Sequence, residues 1–138
     1  MGVARTNEPM TPALSVLVAA ALLLAITALS VVTFATAKAA GALAIGTCGA
    51  YGQAYDYPAP VSASESALSQ CQGQGCRVVT TFKHGCAAFA VDGTNPCGAR
   101  GWGKGPRLGR AQNDALKACY KDGGKDCVIR TFLCDAKG

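Results

Sequence analysis

Eight cysteines, all of them beyond residue 47, set the first limit on this chain. A core built from only about 100 residues is marginal, and cross-links made in an oxidising compartment offset part of the entropy lost on folding. An even, high count in so short a stretch therefore points to a disulfide framework. In a cytosolic chain the same count would point to metal or redox chemistry instead.

The cysteines are arranged in a repeat. Ala42-Leu43-Ala44-Ile45 matches Ala88-Phe89-Ala90-Val91, and Cys48-Gly49-Ala50 matches Cys97-Gly98-Ala99. The register persists through Ala67-Leu68-Ser69-Gln70-Cys71 against Ala115-Leu116-Lys117-Ala118-Cys119, and through "VVTTF" against "VIRTF". A spacing of about 48 residues that occurs twice reads as a duplication inside one domain, since an open solenoid needs three or more units.

Each copy reads as strand, strand, helix, strand. Short apolar runs followed by Gly-spaced "AYGQAYDY" and "ARGWG" predict hairpins, and the closing Val/Ile/Thr/Phe runs predict half-buried strands. Ser62 and Glu65 have capping-box spacing after Pro60, and Ala63, Ala67, Leu68 and Cys71 fall on one helical face. Leu108, Ala111, Ala115, Leu116 and Cys119 do the same in the second copy. The expected fold is α+β: two tandem strand-strand-helix-strand repeats, about 41–86 and 87–135, forming one pseudo-symmetric, disulfide-stapled domain over 38–138 after an N-terminal apolar helix.

That apolar segment, Ala13 to Phe34, lies in a stretch free of charge between Glu8 and Lys38. Arg5 before it and Ala35-Thr36-Ala37 after it fit a signal peptide cleaved after Ala37; its length also fits a retained signal anchor. Both readings of residues 1–37 place the rest of the chain outside the cytoplasm, secreted or in the cell envelope.

Helix-end and strand-start cysteines predict the local bridges Cys71–Cys76 and Cys119–Cys127. Equivalence between copies predicts Cys48–Cys97 and Cys86–Cys134, although eight cysteines allow 105 pairings. The order "GALAI", "YGQAYDYP", "CRVVTTF", "GCAAFAVDG", "GWGKGPRLGRAQNDALKAC" and "VIRTFLC", covering Gly41 to Asp135, resembles the exported bacterial family called Domain of Unknown Function 4189. The resemblance implies an α+β fold, export and no agreed activity, so it carries no catalytic residues over. Cys48 and Cys97 stand outside its pattern, and their pairing rests on the symmetry of the repeat.

No catalytic set emerges. "GARGWGKG" spells seven positions of a phosphate-binding loop, but Gly105 replaces the hydroxyl that holds magnesium. The expectation is a strand whose glycines allow close backbone packing around Trp102. His84, the single histidine, lies two residues from Cys86, which is expected to be oxidised; a zinc site from Cys71, Cys76, His84 and Cys86 would strand the other four cysteines. No cofactor and no metal are expected.

Charge is the best remaining lead. From Cys97 onward there are nine basic and four acidic residues, whereas Lys38 to Pro96 carries three of each. Arg100, Trp102, Lys104, Arg107, Arg110, Lys117 and Lys121 form a candidate contact surface for an unknown protein or an anionic envelope or lipid surface. Nucleic acid is disfavoured by the export signal, and membrane contact is expected only through 13–37 if that segment is retained. The leading expectation is a non-enzymatic binding protein; the alternatives are an envelope inhibitor or immunity-type protein and a small extracellular hydrolase.

Overall fold

The computed structural model describes residues 39–135. The apolar leader, with its cleavage point after Ala37, lies outside the described residues. Within them the elements run β1 (Ala40–Ile45), a 3₁₀ turn (Thr47–Gly49), β2 (Tyr51–Tyr57), α1 (Pro60–Gln70), β3 (Arg77–Lys83), β4 (Cys86–Asp92), β5 (Arg100–Gly105), α2 (Leu108–Lys121) and β6 (Cys127–Cys134). The order strand, strand, helix, strand thus occurs in both halves. Two antiparallel sheets result, ordered β2-β1-β3 and β5-β4-β6.

Strand periodicity sorts the side chains into layers. From β1, Ala40, Ala42 and Ala44 cluster with Ala63 and Ala67 of α1; from β4, Cys86, Ala88 and Ala90 cluster with Ala111, Ala115 and Cys119 of α2. The alternate residues Leu43, Ile45, Ala87, Phe89 and Val91 join Phe82 and Leu133 in a core shared by the two sheets. The order of layers is helix, sheet, sheet, helix, and both middle strands are buried along their whole length.

The centre of each helix–sheet layer is alanine, joined in the second by Cys86 and Cys119, with larger residues such as Leu108, Leu116 and Ile129 packed partly buried against it, so the helices sit very close to the strands. A Cβ built at Gly103 would lie 2.5 Å from the Ala111 carbonyl oxygen and 2.6 Å from the Ala115 nitrogen. At Gly52 it would meet the Cys71 nitrogen at 2.7 Å. Gly101, Gly103 and Gly105 of "GARGWGKG" therefore accommodate α2. This corrects the expectation of packing around Trp102, whose side chain is on the strand's other face.

Two further expectations change. Leu68 is 41 % exposed, beside the Ala63 and Ala67 stripe that α1 buries, whereas its counterpart Leu116 packs partly buried against the second cluster. The capping box does not form either. Helix α1 begins at Pro60, where the fixed φ of proline starts a helix without wasting a donor, and its N-cap Ala59 makes no side-chain bond. Ser62 is consequently inside the first turn, its hydroxyl donating to the Ala59 carbonyl at 2.9 Å.

Four disulfides reinforce the layers, and no described cysteine is free. Cys71–Cys76 and Cys119–Cys127 tie each helix end to the next strand; Cys86–Cys134 joins directly opposed residues of β4 and β6. Cys48–Cys97 connects the turns that follow β1 and β4. With separations of 49 and 48 residues, the Cys48 and Cys86 bridges each restrict the unfolded chain by about 4 kcal/mol in the chain-entropy picture, against about 2 kcal/mol for each short loop.

Two glycine substitutions test the packing. Gly103→Val is expected to lower stability by about 2–3 kcal/mol, because the helix must back away from the strand. Gly109, in α2, has no neighbouring atom within 4 Å of the place an added methyl group would take, so Gly109→Ala is expected to raise stability by up to about 1 kcal/mol. Denaturant midpoints on the oxidised protein report both; loss of stability on Gly109→Ala would contradict the helix placement.

Candidate functional site

Strand β5 has two unlike faces of chemistry. Gly101, Gly103 and Gly105 take the side facing α2, which sends Arg100, Trp102 and Lys104 to the other side. β5 is an edge strand of its sheet, as β3 is of the other, and an open groove of about 560 Å³ lies where their ends approach. Arg77 from β3, Arg100 and Trp102 from β5, and Lys121 and Asp122 from the end of α2 line it, with Ile45 and Ala118 contributing apolar wall.

Two hydrogen bonds fix Arg100. Its Nη1 donates to the Gly46 carbonyl at 2.8 Å, which ties the guanidinium to the turn after β1. Its backbone N–H donates to Asp122 Oδ2 at 3.0 Å, which ties the strand to the helix end. The groove thus gathers three cations and one carboxylate around an indole that is 38 % exposed.

The other seam between the sheets is closed in a different way. Gln53 pairs with Leu43 as Trp102 pairs with Phe89, so both occupy the same place on the edge strand beside a central core residue. Gln53 Oε1 accepts a 2.8 Å hydrogen bond from the Thr131 hydroxyl of β6. A polar clasp joins the sheets at one seam, and a tryptophan flanked by cations stands at the other.

The structure divides the basic surface expected from sequence. Arg100, Trp102 and Lys121 come together, whereas Lys104 lines a second depression of about 440 Å³ with Lys83 and His84. Arg107 precedes α2 as its N-cap residue, Lys117 is exposed, and Arg110 pairs with Asp114 at 2.9 Å on the helix surface; none lines the first groove. Sequence reasoning misses Arg77. It belongs to the charge-balanced half, and only the approach of β3 to β5 brings it to the others.

Groups that suggested chemistry have structural employment. Cys86 is bridged to Cys134, which leaves no thiolate beside His84, itself exposed in the two-residue turn between β3 and β4. Among the described residues, no group of three His, Cys, Asp or Glu side chains is placed to hold a metal ion. The Asp92 carboxyl is held well below the usual carboxylate range. The Thr94 hydroxyl donates to its Oδ1 at 2.6 Å, the Lys125 N–H to Oδ2 at 2.9 Å, and the backbone N–H groups of Thr94 and Asn95 also donate, against a weaker opposing effect of burial. Its own N–H donates to the Ala99 carbonyl, so Asp92 secures the residues that lead into Arg100.

A family profile described as "Domain of unknown function (DUF4189)" matches residues 40–134, nearly all of the described domain. The chain belongs to that family. Protein Rv1269c of Mycobacterium tuberculosis (strain H37Rv) and Protein Mb1300c of Mycobacterium bovis are each 35 % identical to this DUF4189 member over 95 residues, spanning 69 % of this chain and 68 % of the relative. Protein MT1307 of Mycobacterium tuberculosis (strain CDC 1551) matches to the same extent. No solved structure matches the chain. The family description assigns no activity, and its four disulfides mark this DUF4189 domain as one of an oxidising, extracytoplasmic setting. Among the described residues no helix is long and apolar enough to cross a membrane.

The Asp92 carboxyl makes an acid-stability prediction. Because its folded pKa lies below its unfolded value, its contribution is fully present above about pH 4 and is lost as pH falls through the folded value. The melting temperature is expected to hold between pH 7 and 5 and to drop as pH falls from about 4 towards 2. Asp92→Ala is expected to melt lower at pH 7 and to show a shallower acid decline; an unchanged profile would remove Asp92 as the anchor of the loop.

Proposed function

We propose that this protein is a secreted or cell-envelope binding module, without catalytic chemistry of its own, that holds an anionic envelope component in the groove between β3 and β5. The observation that carries this reading is the convergence of Arg77, Arg100 and Lys121, from three separate elements, around Trp102. Charged donors arranged on several sides of a recess recognise an anion far more strongly than cations scattered on a helix face. The roles of the other reactive groups support a binding function: cysteines are spent in bridges, Asp92 secures a loop, Asp114 meets Arg110, and Asp122 holds the start of β5.

Export is supported by the bridges together with the apolar run 13–34, the basic Arg5 before it and the small residues Ala35 to Ala37 after it. The shared order of elements in the two halves supports a duplicated unit. In this reading the second copy gained the cations, and the first contributes Arg77 at the seam.

A second reading, an inhibitor of another envelope protein, draws on Val128 and Phe132, which are 44 % and 51 % exposed on the edge strand β6. An unpaired edge bearing apolar side chains offers a partner both backbone bonds and contact area.

Sedimentation with purified envelope fragments separates these readings. Wild-type protein is expected to bind at low salt and to be released as ionic strength rises. Arg77→Glu with Lys121→Glu is expected to weaken binding by about tenfold or more, while Arg107→Glu with Arg110→Glu, off the groove, changes it by less than about threefold. Equal losses from both pairs would assign the attraction to diffuse charge. Salt-insensitive binding abolished by Val128→Lys with Phe132→Lys would favour the inhibitor.

A further inference from the structure

Three candidates compete for a further role. The depression around Lys83, His84 and Lys104 is lined by no carboxylate and by no tryptophan or tyrosine, and the β6 edge shows nothing of what would cover it. The Trp102 groove combines features that narrow its ligand. We infer that it takes an acidic saccharide, a pyranose ring bearing a carboxylate or phosphate, with Trp102 as the platform for the ring. This rests on the anion-binding reading above and specifies its ligand class.

Trp102 is the chain's single tryptophan, and more than a third of its surface faces solvent at a place where the other seam uses glutamine. A bare phosphate site needs donors and no large apolar plate. The C–H face of a pyranose is apolar and lies flat on an indole, while its edge carries hydroxyls; Trp102 with the Ile45 wall suits the face. Arg77, Arg100 and Lys121 suit the acid. Arg100 is already held by the Gly46 carbonyl, so its guanidinium loses little freedom on binding.

Asp122 separates this ligand from simpler anions. A carboxylate among three cations offers acceptor oxygens for sugar hydroxyls, and it repels a ligand that presents charge at every point, such as a polyphosphate or a densely anionic bilayer. The groove's volume of about 560 Å³ falls in the ordinary range for small-molecule sites, enough for one or two rings. Being open along the seam, it admits a residue within a polymer as well as a free sugar.

The indole is also the reporter. The oxidised full-length protein is titrated with tetragalacturonate and with glucose 6-phosphate, against maltotetraose, inorganic phosphate and vesicles containing phosphatidylglycerol, following tryptophan emission and calorimetric heat. Saturable binding of an acidic sugar that shifts the emission is expected, at least about tenfold tighter than maltotetraose or inorganic phosphate. Trp102→Ala, checked for an unchanged melting temperature, and the exposed-residue variant Lys121→Gln are each expected to weaken it by about tenfold. Arg107→Glu should leave it unchanged. If neither acidic sugar binds, if maltotetraose binds equally, or if only the vesicles bind, the saccharide assignment is overturned. Trp102→Ala retaining full affinity while Lys121→Gln loses it also overturns the saccharide but preserves the anion-binding function. Indifference of every anionic probe to Lys121→Gln and Arg77→Glu overturns both.

Discussion

The near-contact between each helix and its sheet is the constraint on which the rest of this domain depends. Alanine and glycine, joined in the second half by Cys86 and Cys119, form the facing surfaces, so backbone comes close to backbone across each helix–sheet layer. The apolar area buried per residue there is small, and stabilisation in those layers comes from density of packing more than from large side chains. The larger residues Leu43, Phe89, Ile45 and Val91 are concentrated between the sheets. Such a distribution explains the bridges: two of them clamp the helix ends at the thin layers, where hydrophobic holding power is least.

The same economy creates the groove. Because β5 needs a glycine at every second position to admit α2, its remaining positions are free to be large and charged on the opposite side. A strand with one bare face and one elaborate face projects Arg100 and Trp102 at two-residue spacing. Asp122 then locks the strand to the helix end, and the Gly46 carbonyl locks Arg100 to the first half. Packing requirement and groove-lining side chains thus occupy alternate residues of a single short segment.

Much of the architecture is legible in the sequence because periodicity and cysteine spacing are local signals. The hairpins, the two helices and the places where bridges join helix to strand all follow from runs of a few residues, and the α+β class and family membership stand. Leu68 departs from expectation because a helical-face argument takes every apolar residue as inward, yet Leu68 stands at the exposed margin of α1 while its counterpart Leu116 packs partly buried against the second helix–sheet cluster. The capping box fails because Pro60 sets the helix start two residues ahead of Ser62. The candidate groove is only half visible. Arg100, Trp102 and Lys121 stand out within the basic second half, but Arg77 reaches them through the packing of two edge strands, and no local pattern encodes that approach. Arg107, Arg110 and Lys117 look equivalent in a charge count and turn out to occupy separate ground.

Three of the four bridges lie wholly on one side of the turn between β3 and β4, and Cys48–Cys97 alone crosses it. The backbone passes from one half to the other at the exposed His84, in the short turn after β3. A protease that nicked the chain at that turn would therefore release nothing: the fragments would remain covalently joined and migrate as a single species until reduced. This one cystine makes the exposed main chain at His84 a dispensable connection between the two sheets.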